Sequence, residues 1–380
     1  MPETLFASDL PPGGAESWTR REILQQPSTL RATQALLRAS RAAIEGFLAP
    51  LLATNDLRIM LCGAGTSAFI GECLAPWLSA TTGRRVEAVA TTDIVAAPQL
   101  YLDPARPTLM VSFGRSGSSP ESVAAVDLAD AQLPSVHHLV ITCNAAGALA
   151  RRDAANSHVV VLPEETHDRA FAMTSSFSAM MLAALSILGG IDTIDARVEA
   201  IADAVSATIA GAEPRAAALA AQDFDRVVYL GSGVFQGLAR EAALKLLELT
   251  DGAIPTAFDS PLGFRHGPKT IVTPRTLIMM FVSNDPLTRL YDLDMLDELR
   301  ADGRCGAVVA IAAQDVAGEA LLVPGAAGQA DIDLLFPYIV PAQLFALHFS
   351  LRLGRTPDRP NASGTVNRVV QGVRIHPAAA

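Results

Sequence analysis

Two serine- and glycine-rich loops and one charged helix carry the residue types that could do chemistry in this 380-residue chain. The first loop, Gly63-Ala64-Gly65-Thr66-Ser67, follows an apolar run and precedes an Ala/Leu-rich segment. Glycines let the backbone approach a ligand, helix N-terminal N–H groups point at it, and hydroxyls add donors. Gly65, Thr66 and Ser67 therefore suit an anion. The second loop is richer: Phe113-Gly114-Arg115-Ser116-Gly117-Ser118-Ser119-Pro120-Glu121-Ser122. Pro120 and Glu121 fit the first turn of a helix, whose dipole favours negative charge, and Arg115 adds a formal positive one. Both loops fall at the carboxyl ends of expected parallel strands, where open α/β sheets bind ligands. A small molecule with a single phosphate fits such donors without a metal.

The second half supplies the reactive groups. In Arg240-Glu241-Ala242-Ala243-Leu244-Lys245-Leu246-Leu247-Glu248, the charges at 241, 245 and 248 share one helix face. That face is either a solvent-exposed ion-pair ladder or a carboxylate tuned by a lysine for general base work. Of the 29 basic side chains 27 are arginine, so Lys245 and Lys269 stand out: a retained lysine offers a compact ammonium that arginine lacks. Gly263, Gly267 and Pro268 crowd His266 onto a shaped loop, a usual setting for a catalytic histidine. His167 and Asp168 could hold a metal, but a folded loop with satisfied polar groups is the expected reading. The first loop fails as a dinucleotide fingerprint, because Gly71 comes six residues after Gly65 where three are required. Glu87 is therefore not expected to hold a ribose, and no GxxxxGK[ST] run marks a nucleoside triphosphatase.

These residues need a frame. Apolar runs at Leu57–Cys62, Val86–Ala90, Thr108–Phe113, His138–Thr142, Val159–Leu162, Arg226–Leu230, Thr276–Val282, Ala307–Ile311 and Leu321–Val323 read as strands. They mostly do not alternate, as expected of strands covered on both faces. Interleaved with helices, they predict a doubly wound α/β architecture. Two segments repeat at an offset of 168 residues: Leu57–Gly65 on Asp225–Gly233, and Thr108–Phe113 on Thr276–Phe281. This points to an internal duplication. The expected organisation is a helical segment 1–50, with a helix from about Thr29 to Leu52, then units 51–195 and 223–360 and a tail 361–380. Thr193–Ala221 reads as helical with a break near Pro214, and 196–222 is taken as the connector between the units. The charge of −10 disfavours nucleic acid. Four scattered cysteines fit a reducing cytoplasm, and MPETLFASDLPPGG does not read as a secretory leader. Phe171–Ile191 is uncharged over 21 residues, but its serines and Gly189-Gly190 end suit a buried helix better than a membrane span. Ile332–Leu351 contains charged and proline residues and is a weaker candidate.

Taken in order, the GxGTS loop, the SGxS loop, ALKLLE and RHGPK resemble the sugar-isomerase (SIS) family. The likeness covers nearly the whole chain, as two SIS domains in tandem like the isomerase half of glucosamine-6-phosphate synthase. FGRSGSSPES (113–122), ETHDRAFAMTSS (165–176), GFRHGPK (263–269) and SGTVNRVVQGV (363–373) resemble more closely the galactosamine-6-phosphate deaminase/isomerase branch, also called tagatose-6-phosphate ketose/aldose isomerase. The resemblance implies that Ser67, Ser116 and Ser119, with Gly65, Thr66, Arg115, Ser118, Thr174 and Ser175, hold a sugar phosphate. It implies that Glu248 moves a proton between C1 and C2, that Lys245 lies beside it, and that His266 opens the ring, donated by a neighbouring subunit of a homo-oligomer. No metal or cofactor, nucleic acid or membrane is implied. Gly114 stands where the synthase has serine, so the pocket is expected to lean on Arg115. Arg368 stands nearest the synthase's Schiff-base lysine; arginine cannot form that imine at neutral pH, and is expected to orient a hydroxyl or the phosphate. The readings carried forward are a deaminase/isomerase, a plain aldose–ketose isomerase, and a sugar-phosphate-sensing regulator.

Overall fold

A computed structural model describes residues 17–152, 154–370 and 372–376. The leader reading at the N-terminus and parts of the tail lie outside the described residues. Three helices come first: Trp18–Leu24 (α1), Gln26–Ala39 (α2) and Arg41–Leu52 (α3). The expected single helix over 29–52 is thus divided at Ser40, which lies between α2 and α3.

The first sheet unit runs Arg58–Gly63 (β1), Thr66–Thr82 (α4), Arg85–Ala90 (β2), Thr91–Ala96 (α5), Pro98–Tyr101 (α6), Thr108–Gly114 (β3), Pro120–Gln132 (α7), Val136–Thr142 (β4) and Ser157–Val161 (β5). Ser175–Gly189 (α8), Ile191–Asp195 (α9) and Val198–Ala220 (α10) follow. The second unit comprises Arg226–Gly231 (β6), Val234–Leu249 (α11), Thr256–Asp259 (β7), Pro261–Phe264 (α12), Thr276–Phe281 (β8), Pro286–Asp302 (α13), Ala307–Ala312 (β9), Ala320–Leu322 (β10) and Asp331–Arg352 (α14).

All the strands run parallel in two five-stranded sheets, ordered β2-β1-β3-β4-β5 and β7-β6-β8-β9-β10. Numbered within each half, both orders are 2-1-3-4-5, a doubly wound arrangement. The nine expected strands are present within a residue or two of their expected ends. The tenth, β7, was not expected. Its sequence TAFD is half-exposed at a sheet edge and lacks an apolar run.

Helices α4 and α11 pack against each other and join the halves, and α14 packs against both α10 and α11. As expected, the 171–191 stretch forms a core helix: Ser175 to Ile187 of α8 are all buried. The described chain contains one helix long and apolar enough to cross a membrane, α14, and 89% of its apolar window is buried in the fold. The break expected near Pro214 does not occur, and α10 runs through it. Pro214 and Ala210, whose carbonyl loses its helical partner, both lie on the exposed face, where water can take up that carbonyl.

Candidate active site

The β1–α4 turn is set by two glycines. A Cβ on Gly63 would lie 2.5 Å from the Ser67 carbonyl carbon, and Gly65 has φ +56° and ψ −130°, a conformation open to little but glycine. This close turn brings Thr66 and Ser67, both buried, to the N-terminus of α4. The β3–α7 loop folds on itself around Gly117, at φ +62°. Ser116 Oγ accepts from the Ser118 N–H at 3.3 Å, and Asn144 Nδ2 donates to the Ser116 carbonyl at 3.1 Å. Ser118 is exposed, with its Oγ accepting from the Ala148 N–H at 3.0 Å. Ser119 precedes Pro120 at the start of α7, and its hydroxyl donates to Ser122 Oγ at 2.7 Å. A Cβ on Gly114 would sit 3.0 Å from Gly117 Cα, so glycine there lets the loop close.

On α11, Glu241 and Lys245 are fully buried and the Glu248 side chain is 23% exposed, which excludes the solvent-exposed ladder. Lys245 Nζ donates to Thr66 Oγ1 at 3.0 Å and to Glu248 Oε2, and lies 3.5 Å from Glu241 Oε1. Burial works against the Lys245 charge, but Glu241 and Glu248 outweigh it and raise its pKa. Burial pushes Glu241 up to about 8, opposed by Lys245. The ammonium therefore ties the first half's anion turn to the second half's half-open carboxylate.

Arg115 is buried and stitches three segments together. Its Nη1 donates to the carbonyls of Ala170 and Phe171, both at 3.0 Å, and its Nη2 to the carbonyl of Arg368 at 2.9 Å. Burial lowers its pKa, while Asp168, Glu22 and Glu248 counter that. Arg368 Nη2 in turn donates to the Asp168 carbonyl. The Asp168 carboxylate caps α8, accepting from the N–H groups of Thr174 and Ser176 at 2.8 Å each, from Ser176 Oγ at 2.6 Å and from Ser175 Oγ. Ser175 Oγ also accepts from Gln25 Nε2 at 2.8 Å, so its hydroxyl is already engaged, whereas Thr174 Oγ1 is buried without a hydrogen-bond partner. The loop of Asp168 is folded with its polar groups satisfied, as expected, but its capping of α8 and the place of Glu22 on α1 beside it were not foreseen. Both act over contacts that no local spacing marks.

His266 is exposed on the turn after α12. Within the chain no hydrogen bond or ion pair links its side chain to Lys245 or Glu248 among the described residues. Nearby, Arg265 pairs with Glu298 at 2.7 Å, and Lys269 with Glu298 and Asp302. The second half's version of the cradle is filled by the chain itself. Ser283 stands at the position equivalent to Arg115; its N–H donates to Asp292 at 2.9 Å and its hydroxyl to Asp331. Ser232 Oγ also donates to Asp292, at 2.6 Å, and burial pushes that carboxyl up to about 6. A groove of about 810 Å³ lies elsewhere, beside β2 and α11, and none of the candidate residues lines it. Its Glu87 pairs with Arg58 and with Arg85, the latter at 2.7 Å.

Residues 51–188 match the SIS domain family. The D-galactosamine-6-phosphate deaminase AgaS of Escherichia coli is 48% identical over 369 residues, covering 95% of this chain and 96% of that protein. The AgaS deaminase of a Shewanella strain is 42% identical over 366 residues, with 95% and 92% covered. Among solved structures, the tagatose-6-phosphate ketose/aldose isomerase of Escherichia coli superposes with a TM-score of 0.89 at 44% identity, covering 98% of this chain and 99% of that one. The C-terminal domain of a glucosamine-fructose-6-phosphate aminotransferase from Francisella tularensis shares the fold, with a TM-score of 0.73 at 18% identity over 91% of this chain and 99% of that one. With its two parallel sheets and its end-to-end similarity to the AgaS proteins, this chain belongs to the sugar-isomerase (SIS) family, in the AgaS branch.

Proposed function

We propose that the protein converts D-galactosamine 6-phosphate to tagatose 6-phosphate and ammonia. The observation that carries this reading is the Lys245 bridge, which sets Glu248 beside the turn that suits the phosphate. Similarity to the AgaS deaminases over nearly their whole length supplies the substrate class. Ser67, Ser116 and Ser119 with the α4 and α7 N-termini hold the ester, and Lys245 keeps Glu248 oriented. His266 opens the ring, because the C2 proton is acidic only once the C1 carbonyl is free. Glu248 then removes that proton and returns it at C1, leaving an imine at C2. Water adds to the imine carbon, ammonia departs, and the ketose carbonyl remains. Arg115 and Arg368 order the loop, the 168–171 turn and the tail around the sugar. The exposed place of His266, unlinked to Glu248 in its own chain, supports its donation by a second copy in a homo-oligomer. Free cysteines and this metabolic role fit a cytoplasmic location.

A second reading, isomerisation of tagatose 6-phosphate without amine release, is favoured by the likeness to the Escherichia coli ketose/aldose isomerase. Ammonia release from galactosamine 6-phosphate separates the two. Glu248→Gln is expected to lower kcat by at least about a hundredfold, the usual scale for losing a general base. His266→Ala should slow turnover of the closed ring. Full activity in Glu248→Gln would remove the assigned base.

A further inference from the structure

We propose that Glu22, on the first helix and outside every motif, is a positioning residue for the sugar-phosphate site, holding the guanidinium of Arg115 in place through the 168–171 turn. The inference rests on the proposed function only in taking Arg115 to serve that site. Glu22 is 3% exposed. Its Oε1 accepts from the Arg169 N–H at 2.5 Å, and both carboxyl oxygens lie 3.3 Å from the Ala170 nitrogen. The carbonyls of Ala170 and Phe171 receive the two bonds from Arg115 Nη1. One residue, Ala170, is thus held by Glu22 through its N–H and by Arg115 through its C=O. The same helix braces the turn from the other side, where the Arg169 guanidinium stacks on the Trp18 ring, 4.5 Å from its centroid.

Three of the five guanidinium donors are spent on carbonyls, so the direction of the remaining two is set by where those carbonyls point. A buried N–H deprived of its acceptor is costly, and the turn would move to relieve it. The Arg115 fork would then move with it, and a displacement of an ångström at a binding group is enough to cost binding and rate. Burial and the neighbouring Asp168 push the Glu22 carboxyl up to about 9, and its partners at this turn are two backbone N–H groups, which need an acceptor oxygen rather than a charge. A glutamine can replace such a group.

The test is a double-mutant cycle on the full chain. Glu22→Ala, Glu22→Asp, Glu22→Gln, Arg115→Met and Glu22→Ala/Arg115→Met are compared by steady-state kinetics with galactosamine 6-phosphate and by calorimetric binding of tagatose 6-phosphate. Glu22→Ala and the shorter Glu22→Asp are expected to raise KM and weaken binding about tenfold, with kcat changed much less. Glu22→Gln should stay within about twofold of the original. The double variant should be no worse than Arg115→Met alone. Additive losses, a Glu22→Gln as impaired as Glu22→Ala, or a Glu22→Asp that binds normally would each overturn the proposal. If Glu22→Ala does not fold, the Asp and Gln variants decide it. Normal binding by Arg115→Met would overturn both the proposal and the place given to Arg115. Binding without ammonia release would overturn only the reaction assigned above, leaving the cycle readable.

Discussion

Lys245 is a buried cation with a carboxylate on each side, and its worth lies in what its removal leaves. Without it, Glu241 and Glu248 face each other with no positive charge between them, and breaking a buried pair costs far more than a surface pair contributes. Burial already pushes the Glu241 carboxyl up, so without the ammonium it escapes part of the cost by protonating. Lys245→Met is therefore expected to lower the unfolding free energy by roughly 3 kcal/mol, the low end for such losses, as read by urea denaturation. Turnover should fall at least about a hundredfold as Glu248 loses its orienting partner. Unchanged kinetics in a folded Lys245→Met would show that Glu248 needs no such partner. At this scale the sequence marked Lys245 and the face of three charges that the structure draws together; Lys269, the other retained lysine, pairs with Glu298 and Asp302 instead, and His266 stands apart on its loop. The sequence was silent on Glu22, because a carboxylate holding a turn far along the chain leaves no periodic trace; of Asp168 it gave the folded, satisfied loop but not the helix that the carboxylate caps.

The elements carry the site by means of tight turns. Gly63 and Gly231 stand at one position of the two halves, each with its strand end pressed against the following helix; a Cβ would come within 2.5 Å and 2.3 Å of backbone atoms, respectively. Gly63→Ala must push the first turn of α4 away from β1, taking Thr66 off Lys245. It is expected to raise KM and to cost about 1–3 kcal/mol, the range for overpacking a close contact. Gly46, on the exposed face of α3 with nothing within 4 Å of an added Cβ, is the contrast. Gly46→Ala should add about 0.5–1 kcal/mol by helix propensity alone, leaving kinetics untouched; thermal unfolding checks both. Strands buried on both faces announce themselves as apolar runs, whereas β7 is a half-exposed edge strand of four residues. The 168-residue offset nevertheless carries β2, Arg85–Ala90, onto positions 253–258, overlapping Thr256–Asp259. The repeat was thus the signal that local hydrophobicity lacked.

At the scale of the whole molecule, the chain sets Glu248 and the Thr66 turn together through Lys245 and leaves His266 apart. If His266 reaches the sugar across an interface, two inactive variants can repair each other. Co-expressed Glu248→Gln and His266→Ala chains, assorting at random into dimers, should regain about a quarter of full activity, since half the dimers are hybrids with one complete site. No recovery, in particles shown by size to be mixed oligomers, would place His266 at its own chain's sugar. The two halves also differ in how they meet charge. The second closes Ser232 and Ser283 onto Asp292 and Asp331, whereas in the first the loop serines bond to one another and to backbone. The second half's edge is plugged by the chain's own carboxylates, which take up its donors. On the proposed reading, the exchange of water for ester oxygens at each turnover then falls to the first half alone.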